Sequence, residues 1–467
     1  MTTASSYVSG VRCQVSGEQR TDTRDLGNLR APICSTRILS SVEVGHGCRL
    51  DASRAAPNPL NRDTENRYTE SHYRQGLVII GVPKEIYPGD RRVAIVPAVL
   101  PTLTKAGFEV HIQSGAGIEA GYPDSLYADK GAKIKIVDDR AAVFANADVI
   151  VQILCYGSND ITGKQDVPFF RRDQILVGFL RPFGSKDVVQ EVAKAGVTAF
   201  SIELMPRTTR AQSMDALSSM GTACGYKAVL MAADSHPRIF PMLTTAAGTI
   251  TPARVFVIGA GVAGLQAIAT ARRLGAVISA YDLRPAAKEQ VQSLGGRFVE
   301  LPIEAKDAQD ARGYARAQDE DFYRRQRELL GQAVQESDVV ITAAVIPGKK
   351  SPVLVTEDMV KGMAPGSVIV DLAAERGGNC EISEAGKTVV KHGVTIIGAI
   401  NVAAGVPYHA SMMYARNITA FLTHLIKDQK LNLNLEDEII RETLLTRGGE
   451  IVHVRVREFF SLPALTP

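Results

Sequence analysis

From Leu77 onward the chain alternates short apolar runs with stretches of helical periodicity. LVIIGVPKE reads as a buried strand, and VAIVPAVLPTLTKAG as a helix entered at a proline and closed by Gly107. FEVHIQSG, ADKGAKI, DRAAVFANADVIVQIL, QILVGFL, DVVQEVAKAG and VTAFSIEL continue the same strand–helix series. Such alternation implies parallel sheet with crossover helices. A long helix is expected from about Asp215 to Ala233, and the grammar then restarts. RVFVIGAG, AVISAYD, RFVEL, VVITAA, SVIVDLA and TIIGA are six strand candidates, the number in a complete doubly wound nucleotide domain. After about Tyr408 come one helix (SMMYARNITAFLTHLIKD) and a hairpin (ETLLTRGGEIVHV) turning at Gly448–Gly449. The hairpin is expected to fold back on the first domain.

The expected fold is therefore α/β: two doubly wound Rossmann-like domains with parallel sheets and a cleft between them. Residues 77–214 with 408–467 form the first, and 215–407 the second. Residues 1–76 stand apart. Within the first 75 are ten Arg, no Lys and eight acidic residues, and the first Lys is Lys84. This leader has no apolar signal core, and its acidic residues fit a transit peptide poorly. Disorder, an over-called start, a targeting segment and ordered structure all stay open for it. Glu304–Glu328 is highly charged and reads as a solvated helix or a flap tipped by Tyr314.

Composition narrows the function classes. The net charge of +3 leaves the body beyond the leader nearly neutral, and the chain has no Trp and 6% aromatics. Neither a basic footprint nor a stacking platform for nucleic acid is present. The longest apolar run, Val255–Ala271, is marginal for a membrane span, and its glycines have another use. Six cysteines without CxxC or a nearby His cluster argue against zinc and a disulfide framework, so no metal is expected, and they suggest a reducing compartment.

GAGVAG sets Gly259, Gly261 and Gly264 in G-x-G-x-x-G spacing, with Val262 and Ala263 between them. The motif follows RVFVI, opens the helix LQAIATARRLG, and is followed by a strand ending at Asp282, 18 residues past Gly264. That βαβ context makes it a dinucleotide site. Gly259 permits the turn, Gly261 lets pyrophosphate approach backbone, and Gly264 lets helix pack on strand. The helix N-terminus supplies N–H groups to phosphate. Asp282, followed by Leu283, accepts from the adenine ribose 2′-OH and favours NAD over NADP. Arg284 can receive a 2′-phosphate, which keeps its role in that choice open.

A second candidate is MPRTTRAQSMDALSS, Met205–Ser219, which carries Arg207, Gln212 and Asp215. Helix capping by Ser213, with Asp215 in the first turn, explains some of it. It does not explain Arg207 or Gln212.

MPRTTRAQSMDALSSMGTACGYKAVL, TAAGTITPARVFVIGAGVAGLQAIATARRLGA, AAKEQVQSLGG, VIPGKKSPVLVTEDMV and GSVIVDLAAERGGNCE together resemble the NAD(H)-binding alpha subunit (domain I) of proton-translocating NAD(P) transhydrogenases. The related alanine dehydrogenases share the fold and the opening GVPKE…RVAIVP. The resemblance covers about residues 77–457. It implies a Re/Si-specific transhydrogenase in which this component holds NAD(H). Hydride would pass directly to NADP(H) held on a partner, the beta-type NADP-binding subunit, and a membrane-spanning subunit would couple transfer to proton movement. It also implies a homodimer without a span of its own, cytoplasmic and peripheral on the inner face of the plasma membrane through its partners. Arg207, Gln212 and Asp215 match the family's polar loop, and Ser218 and Tyr226 match neighbours of the nicotinamide pocket. Gly259, Gly261, Gly264 and Asp282 match its fingerprint, and Tyr314 its mobile loop. VIVQILCYGSND departs, with Gln152 and Ile153 where a Lys-containing run is usual, and VGFLRPFG lacks the His that alanine dehydrogenases use. Oxidising alanine requires a general acid/base, and none of the eight His lies in a recognisable catalytic motif. The alternative, an alanine dehydrogenase-like oxidoreductase, is weakened accordingly.

Overall fold

The computed structural model describes residues 78–301, 318–346, 348–427 and 430–465. The first sheet contains β1 (Val78–Val82), β2 (Phe108–Gln113), β3 (Ile134–Val137), β4 (Val149–Leu154), β5 (Ile175–Phe179) and β6 (Thr198–Ser201). These six run parallel in the order β3-β2-β1-β4-β5-β6. All five β5 residues are buried, as are five of six in β4. A sheet covered by helices on both faces needs such continuous apolar runs, which is why these strands show no alternation.

An isolated hairpin of β7 (Leu243–Thr245) and β8 (Gly248–Ile250) precedes the second sheet. The second sheet holds β9 (Arg254–Ile258), β10 (Val277–Tyr281), β11 (Arg297–Phe298), β12 (Val339–Thr342), β13 (Val368–Asp371), β14 (Thr388–Lys391) and β15 (Val394–Gly398), ordered β11-β10-β9-β12-β13-β15-β14. The six expected strands are its parallel core. Two features go beyond the pattern. These are β14, antiparallel on the β15 edge, and the hairpin, all of whose strand residues are exposed. A short ladder of β16 (Ile426–Lys427) and β17 (Lys430–Leu431) follows. The tail hairpin, β18 (Leu444–Arg447) and β19 (Glu450–Ile451), pairs antiparallel onto β6 and so folds back on the first sheet.

Six helices matter for the site: α1 (Arg140–Asn146), α2 (Lys186–Lys194), α3 (Ala216–Ser235), α4 (Val262–Arg273), α5 (Glu320–Gln335) and α6 (Pro407–His424). The charged stretch expected before Glu328 contributes the start of α5, capped by Asp319; Tyr314 lies outside the described residues. α3 belongs to two cores. Ala216, Met220 and Ala223 pack in the first-sheet core, and Ala228, Val229 and Ala232 in the second. The crossing between cores thus occurs inside one helix. α6 returns the chain, burying Tyr414, Ile418, Phe421 and Leu422 against the first sheet. Among the described residues, no helix is long and apolar enough to cross a membrane.

Candidate functional site

Both sheets share the 3-2-1-4-5-6 order, so each has a switch point where the crossovers diverge and a crevice opens beyond the strand ends. In the second sheet that point lies between β9 and β12, and Gly259 stands there. Its φ is +96°, and a Cβ would sit 2.9 Å from Ala343 C and Ala344 N. Gly264 is more restricted still, since its Cβ would lie 1.8 Å from the Gly259 carbonyl oxygen. Gly261 differs: a Cβ there meets nothing within 4 Å. Its glycine is not required by protein packing, and the open space fits the close approach of a pyrophosphate. Gly261 N-caps α4, whose first residues are exposed Val262 and half-buried Ala263. The helix start therefore presents N–H groups at the crevice.

Asp282 ends β10 and is buried. Its Oδ2 accepts from the Ala260 N–H at 2.7 Å, tying the second strand to the glycine turn. Arg284 forks onto the same carboxylate at 2.9 Å through both Nε and Nη2. Leu283 between them is half-buried.

The polar loop approaches through α3. Thr209–Met214 is a 3-10 turn pinned by buried Ala211 and Met214, which leaves Gln212 exposed; Arg207 is exposed just before it. The Asn417 amide of α6 donates to the Ser213 carbonyl at 2.8 Å. The cap differs from expectation: it is Asp215, not Ser213. Its carboxylate accepts from the Ser218 N–H at 2.9 Å and the Ser218 hydroxyl at 2.6 Å. Asp215 already belongs to the turn before the helix, so its side chain reaches the free N–H groups of the first turn. Three and seven residues past Ser218, on the same helix face, stand Gly221 and Gly225. A Cβ on Gly225 would lie 2.0 Å from the Ala263 carbonyl oxygen, and one on Gly221 would be 3.6 Å from Val262. The face carrying Ser218 thus abuts the first turn of α4, while Tyr226 is exposed beside it.

Other polar residues are brought together without a clear sequence signal. At the switch point of the first sheet, between β1 and β4, Glu85 turns its carboxyl onto the Ile153 and Leu154 N–H groups at 2.6 and 3.2 Å. Burial, with Asp90 nearby, pushes its pKa up to about 8. That crevice is filled by the chain's own side chain. Asp90 and Arg92 form a buried bidentate pair. Burial alone would raise the Asp90 carboxyl, but the Arg92 guanidinium outweighs it and holds the carboxyl below its ordinary range. Asn401, at φ +43°, exchanges bonds with both and receives Glu375 on its backbone N–H. The GDRRVA pattern, two opposite charges two apart beside an apolar run, is the only hint of this knot in the sequence. A cavity of about 300 Å³ opens beside it, lined by Tyr87, Arg91, Asn401 and Ala404 with Lys227 and Met231 of α3. Gln152 is buried and donates to Asp166, which is itself forked by Arg140 of α1.

The described histidines hold structural contacts. His111 meets Glu109, His236 the Gly366 carbonyl, His392 Glu357 and His424 Asp437, and His453 caps the Val454–Phe459 helix.

A parallel α/β pair with one glycine-lined and one self-filled crevice defines a class of nucleotide-binding proteins. Models of the alanine dehydrogenase/PNT N-terminal and C-terminal domains match residues 81–223 and 228–454. An NAD(P) transhydrogenase subunit alpha chain of Rhodospirillum rubrum is 48% identical over 377 residues, 80% of this chain and 97% of that one. The crystal structure of transhydrogenase from Sinorhizobium meliloti superposes with a TM-score of 0.69 at 41% identity, covering 81% of this chain and 99% of that one. Alanine dehydrogenase of Bacillus subtilis is more distant, at 27% identity over 81% of this chain and 94% of that one. The chain belongs to the family of NAD(P) transhydrogenase alpha subunits.

Proposed function

We propose that this chain is the NAD(H)-holding component of a proton-translocating NAD(P) transhydrogenase. The observation that carries the reading is the seating of two pieces against each other. α3, capped by Asp215 and Ser218 and led by the exposed Arg207–Gln212 loop, rests on the first turn of the phosphate-type helix α4 through Gly221 and Gly225. Gly259, Gly261, Val262, Ala263 and Gly264 hold the pyrophosphate, and Asp282 reaches the adenine ribose. Gln212 and Arg207 offer amide and guanidinium donors at the other end, and Ser218 and Tyr226 flank the same face. NADH, when bound, supplies the hydride. The chain's residues align it and keep water from the reacting carbon, with no general acid required. The acceptor, NADP⁺, lies on a separate component, the beta-type subunit, and membrane-spanning subunits couple the transfer to protons. The chain is peripheral to the inner face of the plasma membrane through them.

A homodimer is supported by the β7–β8 arm. Met242, Leu243 and Ile250 are exposed on it, and an apolar recess of about 590 Å³ lies at its foot, lined by Phe240, Pro241 and Leu274. The deciding experiment mixes the chain with a purified NADP-binding component and follows hydride transfer to a nucleotide analogue. No transfer, with both nucleotides shown to bind, refutes the proposal. L-Alanine with NAD⁺ is the control and yields no NADH.

A further inference from the structure

A carboxylate offers about four acceptor positions, and those of Asp282 are all engaged. Oδ1 accepts from the Arg284 N–H at 2.8 Å and from Arg284 Nε at 2.9 Å. Oδ2 accepts from the Ala260 N–H at 2.7 Å and from Arg284 Nη2 at 2.9 Å. Nη2 also reaches the Ala260 carbonyl at 3.3 Å, so the guanidinium lies against the turn between Gly259 and Gly261. Two of the four donors are backbone groups that shape that turn. The other two belong to a side chain that can rotate. A ribose hydroxyl that donates to Asp282 therefore has to replace an Arg284 N–H.

We infer that Arg284 is a specificity-determining residue that competes with the adenine ribose for Asp282, and that its charge softens the rejection of a 2′-phosphate. The inference rests on the nucleotide reading of this cradle. For NAD(H), Arg284 is an internal rival whose bonds must be exchanged for those of the ribose. For NADP(H), the displaced guanidinium is a cation within reach of the added phosphate, and it also cancels the Asp282 charge that would repel it. Removing the guanidinium acts in opposite directions on the two nucleotides. A residue that merely shaped the turn would shift both alike.

The test titrates NADH and NADPH into the full chain and into Arg284→Gln, Arg284→Lys and Asp282→Asn, with thermal melts to verify folding. Arg284→Gln is expected to bind NADH roughly threefold tighter and NADPH about tenfold weaker, the second because a phosphate then faces an uncompensated carboxylate. Arg284→Lys keeps the charge but not the fork, and its ratio of the two dissociation constants falls between those of wild type and Gln. Asp282→Asn takes the carboxylate charge away from the guanidinium and gains NADPH affinity. Should Arg284→Gln fail to fold, the other two variants decide on the same ratio. Wild type that binds NADH, with that ratio unmoved within twofold in every folded variant, overturns the Arg284 inference alone. Wild type that binds no NADH overturns the nucleotide reading and the inference with it.

Discussion

Gly221 and Gly225 stand one turn apart on α3, yet alanine is expected to have opposite effects at the two positions. At Gly225 the added Cβ would lie 2.0 Å from the Ala263 carbonyl oxygen, 2.9 Å from its carbon and 3.0 Å from the Gln266 Cβ. The first two obstacles are backbone, so no rotamer relieves them. Restoring ordinary contact requires α3 and α4 to separate by about 1 Å at this point. Overpacking of this kind costs about 1–3 kcal/mol, against a helix-propensity gain of about 1 kcal/mol for leaving glycine. At Gly221 the nearest atoms are Val262 Cγ1 and Cβ at 3.6 and 3.7 Å, ordinary van der Waals contact. Gly221→Ala therefore keeps the propensity gain and melts at or above the wild-type temperature, while Gly225→Ala melts below it. The displaced segment is the first turn of α4, which carries the phosphate-facing backbone. A shift of about 1 Å in reactant alignment costs about 10²-fold in rate. Stopped-flow hydride transfer with the partner component is thus expected to slow on that order for Gly225→Ala, with NADH binding weakened much less. Equal melting and equal transfer rates in the two variants would refute the seating of α3 on α4 as the source of alignment.

Gln212→Asn shortens an exposed amide by one methylene and is expected to slow hydride transfer far more than it weakens NADH binding; equal losses by calorimetry and stopped flow would remove the positioning role. Glu85 makes stability depend on pH, because the folded carboxyl titrates near 8 and the unfolded one near 4.5. The folded chain binds more protons between those limits, so this contribution is full below the unfolded value and is lost as pH rises towards 8, on the order of 1 kcal/mol per pH unit. Glu85→Gln therefore gains on wild type in urea denaturation as the pH is raised from about 6 to about 8, and a flat difference contradicts the assignment. Asp90→Asn strips the buried Arg92 of its counter-charge and is expected to cost about 3–5 kcal/mol in urea denaturation. Adding Arg92→Met to that variant recovers much of the loss; no recovery would mean that the charge pair is not the cause.

What can be read from the sequence is local. Gly259, Gly261, Gly264 and Asp282 lie within one βαβ unit, and the tail hairpin announces itself by Gly448–Gly449 at φ +61° and +89°. β14 leaves no such mark, because its TVVK alternates half-buried and exposed positions on a sheet edge and lacks the apolar run of its neighbours. The β7–β8 arm buries nothing, so no periodicity marks it. Capping by Ser213 is a fair expectation from composition. The 3-10 turn that precedes α3 moves the helix start by two residues and hands the role to Asp215. Gly221 and Gly225 look ordinary until α4 lies across them, and the bonds from Asp90 and Arg92 to Asn401 span about 310 positions. Contacts of that range are set by the crossing of the two cores and leave no spacing to detect.

The two switch points explain why the chemistry sits where it does. Both sheets have the same strand order and so the same crevice. In the first, Glu85 occupies it and bonds the end of β4, and the titratable groups that burial perturbs there, Glu85, Cys155 and Tyr414, are packed inside the first-sheet core or its covering layer. In the second, glycine leaves the crevice open, and Asp282 and Arg284 neutralise each other. An enzyme that moves protons at carbon keeps a titratable group poised at the open site. Here the poised carboxyl is spent on closing the other one. The open crevice is furnished with backbone N–H groups, an ion pair, an exposed amide and a guanidinium, which hold and orient but do not exchange protons near neutral pH. That division is what direct transfer between two nicotinamides requires. It also predicts where evolution of an acid/base function would have to begin: with a titratable side chain introduced along the α3 face between Ser218 and Gly225, the wall of the crevice that the glycines leave within reach of the ring.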